Sequence, residues 1–100
     1  MHNVMMGGLG DDEVHGANLG DLICGGAGND VELAGRGGKD RLTGNTGNDA
    51  IFGGPGADRI LGRSGDDEIS SGPGADDVDG GAGTDTCLVD PEDTVVNCEP

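Results

Sequence analysis

The sequence predicts an all-β fold, a right-handed parallel β-roll built from short tandem repeats. Three observations carry this prediction. Nine consecutive units run from Gly7 to Leu88, and each is nine residues long except the third, which has ten. Every unit has Asp at its sixth position, and eight of the nine have an apolar residue at the eighth. A fixed short period of this kind is typical of a solenoid, in which each repeat packs only on its neighbours.

Each unit divides into a turn and a strand. Its first six positions hold mainly Gly, Asp, Asn and Ala, which favour tight turns and, for Gly, left-handed backbone conformations. Its last three form a short strand, such as Glu68-Ile69-Ser70, whose middle side chain points away from its two neighbours. We therefore expect the eighth position to face a thin core and the seventh and ninth to face outwards. Two repeats should complete one coil.

The chain divides into three segments. Residues 1–6 form a short N-terminal lead, residues 7–88 the nine repeats of one β-roll, and residues 89–100 a C-terminal capping segment with a last strand at Thr94-Val95-Val96. The lead has neither the charged nor the apolar region of a signal peptide, and it does not resemble a cap. We expect either a fragment of a longer secreted protein or a reading frame with a wrongly assigned start.

Composition and charge limit the possible partners. Twenty acidic residues against five basic ones give a net charge of −15, and Gly supplies 23 residues. Apart from Gly, apolar residues make up only 32% of the chain, and one of them is aromatic. So little can be buried that disorder is expected unless something binds. A nucleic-acid partner would need a basic patch, and a membrane span about 18 apolar residues in a row. Neither occurs in the sequence, whereas an acidic, Gly-rich chain can bind cations.

The sixth-position aspartates should form two rows, because alternate repeats fall on the same edge of the roll. One edge carries Asp12, Asp30, Asp49, Asp67 and Asp85, and the other carries Asp21, Asp40, Asp58 and Asp76. Ca²⁺ needs about six to eight oxygen ligands, which one Asp cannot supply but two stacked turns can. Four gaps on one edge and three on the other set a ceiling of seven ions, whose charge of +14 would nearly cancel −15. Binding free energy would then become folding free energy.

These units resemble the RTX, or haemolysin-type, calcium-binding nonapeptide repeat, Gly-Gly-x-Gly-x-Asp-x-apolar-x. A clear copy is residues 53–61, GGPGADRIL. Residues 89–100 are similar to the tails that close actinobacterial members of the family. The resemblance implies Ca²⁺ between turns stacked on the same edge, bound by Asp side chains and turn carbonyls. The carbonyls are expected from Gly25, Gly35, Gly44, Gly53, Gly62 and Gly80.

Some repeats depart from the pattern. Leu19 stands at the fourth position of the second repeat, where the pattern has Gly, and this weakens the expectation that Asp21 binds a cation. The third repeat has Glu32 at the core position and one extra residue, so we expect a bulge that places Leu33 inwards. The second Gly is replaced by Arg36 and Arg63. The best sites should lie along Asp40, Asp58 and Asp76 and along Asp49, Asp67 and Asp85.

The three cysteines leave two interpretations open. Cys87 and Cys98 either form a disulfide that pins the tail over the last coil or are two small buried side chains. A disulfide would fit an oxidising, extracellular setting, where calcium is also plentiful. Cys24 is expected to be a spare, outward-facing thiol.

We expect no catalytic residues. Paired acids such as Asp66-Asp67 are best explained by one repeat Asp beside a solvated turn residue, and His15 falls on an outward ninth position. The favoured function is a non-enzymatic calcium-binding module of a secreted protein, acting as scaffold, spacer or adhesive segment and either monomeric or part of a larger chain. The alternative is the C-terminal module of a larger secreted hydrolase, a protease or lipase, whose catalytic domain lies outside this chain.

Overall fold

The computed structural model describes residues 4–8, 10, 13–16, 20–29 and 32–98. These residues form eleven strands of three residues each and contain no helix, hence none that could cross a membrane. The strands are β1 (Val4–Met6), β2 (Glu13–His15), β3 (Leu22–Cys24), β4 (Glu32–Ala34), β5 (Arg41–Thr43), β6 (Ala50–Phe52), β7 (Arg59–Leu61), β8 (Glu68–Ser70), β9 (Asp77–Asp79), β10 (Thr86–Leu88) and β11 (Thr94–Val96).

The strands alternate between two parallel sheets. One sheet has the order β1-β3-β5-β7-β9-β11 and the other the order β2-β4-β6-β8-β10. Each strand therefore pairs with the strand two repeats away, as Ile51 on β6 does with Ile69 on β8. The turn of each repeat carries the chain from one sheet to the other. This topology confirms the predicted parallel β-roll with two repeats per coil.

The core is a stack of single apolar side chains from the middle of the strands. Its members are Ile23, Leu33, Leu42, Ile51, Ile60, Ile69 and Val78, each at most 2% exposed. Seventh-position residues such as Arg59 and Glu68 are exposed, as predicted. Exposure varies at the ninth position: Phe52 and Leu88 are exposed, Thr43 and Ala34 are buried, and the others are half-buried. Thr43 and Ala34 each follow a core residue on their strand, so alternation places them on the outward face, but they are covered there instead of being exposed.

The third repeat contains the predicted change of register. Leu33 is fully buried and lies between Val14 on β2 and Ile51 on β6. Glu32, one residue earlier, pairs with Glu13 and is only half-buried. The extra residue thus moves the acid out of the core and an apolar side chain into it.

A strand from outside the nine repeats is added to the same sheet at each end of the roll. Val4–Met6 forms β1 and pairs with β3, so that Met5 packs against the core beside Ile23. The predicted last strand, Thr94–Val96, is observed as β11 and pairs with β9. A disulfide joins Cys87 to Cys98 with their Cα atoms 5.8 Å apart. Cys24 is a free, half-buried thiol.

Candidate metal centre

The turns are shaped by left-handed residues at their second and fourth positions. In the sixth repeat these are Gly54 (φ 82°) and Gly56 (φ 113°). A Cβ atom on Gly54 would lie 2.7 Å from the carbonyl oxygen of Arg36 in the preceding coil. The turns therefore stack closely, with backbone carbonyl oxygens of one turn directed at the next.

Two oxygen atoms lie close to the first Gly of a repeat, in the space that a side chain would need. A Cβ atom on Gly62 would be 2.6 Å from Asp67 Oδ2 and 2.7 Å from the carbonyl oxygen of Gly80. The carboxylate belongs to the same repeat and the carbonyl to the next coil. A Cβ atom on Gly16 would likewise lie close to Asp21 Oδ2 and the carbonyl oxygen of Gly35. One on Gly44 would lie close to Asp49 Oδ2 and the carbonyl oxygen of Gly62. The carbonyls of Gly25, Gly44 and Gly53 belong to the same stacks and stay predicted ligands.

Seven of the nine sixth-position aspartates lie within the described residues, and all seven are buried. Asp12 and Asp30 lie outside the described residues. The seven are at most 3% exposed, and they are Asp21, Asp40, Asp49, Asp58, Asp67, Asp76 and Asp85. Buried carboxylates are rare in proteins unless they are paired or coordinate a metal.

In five of these carboxylates one oxygen links successive coils, namely Oδ1 of Asp40, Asp58, Asp67, Asp76 and Asp85. Asp58 Oδ1 accepts a hydrogen bond from the backbone N–H of Asp40 at 2.8 Å, and Asp76 Oδ1 accepts one from Asp58 at 2.7 Å. On the other edge Asp67 Oδ1 accepts from Asp49 at 2.8 Å, and Asp85 Oδ1 from Asp67 at 2.7 Å. Among the described aspartates the two predicted rows therefore exist, and hydrogen bonds connect each of them along the roll.

The other carboxylate oxygen has a different environment. Within the described part of the chain, the Oδ2 atoms of Asp40, Asp58, Asp67 and Asp76 are buried and accept no hydrogen bond. A buried polar group without a partner costs about 1–3 kcal/mol, and more when it is charged. Because these are hard oxygen donors beside backbone carbonyls, the residues present fit a hard cation such as Ca²⁺.

Burial also opposes ionisation of these groups in the absence of metal. It raises the pKa of Asp58 to about 7, and the negative charges of Asp40 and Asp76 add to the effect. Burial likewise raises the pKa of Asp67 to about 6, with a contribution from the charge of Asp85. The pKa values of Asp40 and Asp76 are raised mainly by burial as well. A cation between the coils would reverse this preference.

Side chains alone do not form a complete metal site in the described part of the chain. Among the residues that the structure describes, no three carboxylate, imidazole or thiol groups come together as a metal-binding cluster. A cation between the coils would therefore depend on backbone carbonyl oxygens as well, and the stacked turns bring several of these close together. An all-oxygen set suits Ca²⁺ better than a transition metal.

A second row of hydrogen bonds follows one edge of the roll and was not predicted from the sequence. Asn48 donates its N–H to Asn29 Oδ1 at 2.7 Å, Asp66 donates to Asn48 Oδ1 at 2.8 Å, and Thr84 donates to Asp66 Oδ1 at 2.7 Å. Asp66 is exposed as expected, but it also links two coils. The signal in the sequence is an Asn or Asp at the fifth position of alternate repeats.

His15 belongs to a surface cluster on the outer side of its sheet. Its Nε2 lies 3.0 Å from Glu13 Oε1 and 3.4 Å from Glu32 Oε1, and its Nδ1 lies 2.9 Å from Arg36 Nη2. Because a guanidinium only donates, Nδ1 accepts from Arg36 and the neutral ring donates Nε2–H to Glu13. All four side chains are thereby used in pairing one another.

The fold and the two rows of buried carboxylates define a parallel β-roll whose turns are suited to bind cations. A family model for the RTX calcium-binding nonapeptide repeat (4 copies) matches residues 2–32, 34–69 and 52–87. The chain therefore belongs to the family of RTX calcium-binding nonapeptide repeats. No curated protein and no solved structure matched the chain significantly.

Proposed function

We propose that this chain is a calcium-binding β-roll module of a secreted protein, which folds when Ca²⁺ binds and acts as a scaffold, spacer or adhesive segment rather than as an enzyme. One observation carries the proposal. The Oδ2 atoms of Asp40, Asp58, Asp67 and Asp76 are buried between stacked turns and accept no hydrogen bond from the described residues. A cation that coordinates these oxygens would compensate for the missing hydrogen bonds.

The residues that would hold the ions are the sixth-position aspartates and the first-position carbonyls. Asp40, Asp58 and Asp76 serve one edge, and Asp49, Asp67 and Asp85 the other. Asp21 extends the first row, since its N–H donates to Asp40 Oδ1 at 2.8 Å. Bound Ca²⁺ would neutralise the carboxylates and join the turns of successive coils. With Asp12 and Asp30 included, the ceiling is seven ions.

Folding should depend on the metal because the rest of the structure is weak. The core holds one apolar side chain per strand, each contributing about 1.5–3 kcal/mol, against a large cost for ordering a chain with 23 Gly residues. At neutral pH the buried aspartates add repulsion. Without calcium the chain should be disordered, and in an extracellular setting millimolar calcium would fold it.

The test is a calcium titration followed by far-UV circular dichroism, with magnesium as the control and ion counting by native mass spectrometry. We expect a cooperative coil-to-β transition at roughly 10⁻⁴–10⁻³ M calcium and none with magnesium. An equally strong β signal in chelator would contradict the proposal. So would a chain that carries no bound ions in millimolar calcium.

A further inference from the structure

Asp93, in the C-terminal segment, takes the place of a repeat aspartate. Its Oδ1 accepts the N–H of Asp76 at 2.8 Å, as Asp76 Oδ1 accepts the N–H of Asp58 at 2.7 Å. The next residue, Thr94, donates its N–H to the carbonyl oxygen of Asp76 at 2.8 Å. Val95 then pairs with Val78 in register. Asp93-Thr94-Val95-Val96 therefore continues the row of Asp76 by one further coil.

The second oxygen of Asp93 is satisfied by protein groups. Asp93 Oδ2 accepts a hydrogen bond from the Ser71 hydroxyl at 2.8 Å and one from the N–H of Asp90 at 2.7 Å. In the coils below, the Oδ2 atoms of Asp58 and Asp76 accept none from the described residues. The last member of this row thus differs from the others at the oxygen that we assign to calcium.

Ser71 is the one first-position residue of the nine repeats that is not Gly. A side chain at this position is excluded in the coil below, because a Cβ atom on Gly53 would lie 2.9 Å from Asp58 Oδ2 and 2.6 Å from the carbonyl oxygen of Ser71. Above Ser71 the chain has left the repeat, and the carboxylate of Asp93 fills the space instead. The Ser71 side chain is fully buried there.

We propose that the gap between the eighth repeat and the C-terminal segment is closed by hydrogen bonds instead of a calcium ion, with the Ser71 hydroxyl and the Asp90 N–H occupying the side of Asp93 that faces calcium in the repeats. Asp93 is then a positioning residue, which holds Asp76 at the end of its row without binding metal. This inference rests on the calcium-binding function proposed above. It also explains why Ser, with its short hydroxyl side chain, stands only in the repeat below Asp93.

The test is to count ions by native mass spectrometry on the calcium-saturated full chain, for wild type, Asp93→Asn, Ser71→Ala and Asp76→Asn. The ion count is the appropriate readout, because coupled folding would move the calcium midpoint whatever the cause of destabilisation. We expect Asp93→Asn and Ser71→Ala to keep the wild-type count while their urea midpoints fall. Asp76→Asn should bind at least one ion fewer.

A lower ion count in Asp93→Asn or Ser71→Ala would overturn the inference, because Asp93 would then act as a ligand. Ser71→Ala removes only the hydroxyl, which lies 2.8 Å from Asp93 Oδ2 and 3.4 Å from the carbonyl oxygen of Leu88, and keeps the Cβ atom. It therefore tests the inference even where Asp93→Asn fails to fold. An unchanged urea midpoint in Ser71→Ala would also count against it. If wild type itself binds no calcium, the proposed function fails, and this result is distinct from the loss of one ion in a variant.

Discussion

Asp58 Oδ1 accepts the backbone N–H of Asp40 at 2.8 Å across one coil, while Asp58 Oδ2 is buried without a hydrogen-bond donor among the described residues. The same carboxylate therefore has two roles. One oxygen links the coils through a protein hydrogen bond, and the other is the oxygen that we propose binds Ca²⁺. This division explains why the repeat requires Asp, since a hydroxyl or an amide could not present two acceptor oxygens with a negative charge.

The neighbouring acids Asp66 and Asp67 allow a matched comparison. Both lose one charge as Asn, but Asp67 is 2% exposed and Asp66 is exposed. Removing one partner of a buried charge pair costs about 3–5 kcal/mol. Spread over up to seven ions, this cost should raise the calcium midpoint of Asp67→Asn by roughly two- to threefold and lower its ion count by at least one. Asp66→Asn should keep the wild-type count, and equal losses in both variants would contradict the assignment of Asp67.

The metal-free chain should gain structure on acidification. The pKa of Asp58 is raised to about 7 and that of Asp67 to about 6, both mainly by burial. The folded state therefore binds more protons than the unfolded state between about pH 4 and pH 7. The cost of ionising these buried carboxylates in the folded state is absent below about pH 4 and complete above about pH 7. The free energy of unfolding of the metal-free chain therefore falls as the pH rises through this window.

The measurement is far-UV circular dichroism in buffer stripped of metals, from pH 7.5 to pH 4. We expect β signal to increase as the pH falls, whereas in limiting calcium the same acidification should release ions. The variant Asp58→Asn plus Asp67→Asn should reduce the pH dependence in metal-free buffer. A metal-free β signal that decreases on acidification would show that the burial of these carboxylates does not control folding.

The repeating part of the roll was predictable from the sequence because one period determines both the core and the site. Apolar eighth positions give the buried stack, and sixth-position aspartates give the two rows. The change of register in the third repeat was predictable because a buried Glu32 would be costly beside an apolar Leu33. The strand Val4–Met6 and the turn before Asp93 were harder to predict from the sequence. Val4–Met6 has no Gly-rich turn before it in the sequence, and the turn before Asp93 contains Pro and Glu instead of Gly.

The first-position Gly should be intolerant of any side chain where two coils meet. A Cβ atom on Gly62 would lie 2.6 Å from Asp67 Oδ2 and 2.7 Å from the carbonyl oxygen of Gly80. Overpacking of this kind typically costs about 1–3 kcal/mol, and here it would also displace two candidate ligands. We expect Gly62→Ala to lower the urea midpoint in saturating calcium and to raise the calcium midpoint. Ser64→Ala, at an exposed position in the same turn, is the control and should behave as wild type.

Arg63 should be a site where Gly stabilises the fold. Its φ of 68° lies in the left-handed region, which costs a non-Gly residue roughly 1–2 kcal/mol. Part of the gain from Gly is lost to the greater entropy of the unfolded chain, about 0.4–1 kcal/mol. We expect Arg63→Gly to raise the free energy of unfolding by about 0.5–1 kcal/mol in saturating calcium. Arg63→Ala keeps the unfavourable backbone and should show no such gain, so equal stabilisation in both variants would exclude this explanation.

The disulfide between Cys87 and Cys98 should stabilise the closing coil. The two residues are 11 apart in sequence, and cross-linking a loop of this length should contribute about 2–3 kcal/mol by restricting the unfolded chain. We expect Cys87→Ser plus Cys98→Ser to lower the urea midpoint in calcium, while Cys24→Ser leaves it nearly unchanged. Alkylation of the unreduced, denatured protein should label one thiol, Cys24. Labelling of three thiols would show that the tail is held by β11 and Asp93 without a covalent link.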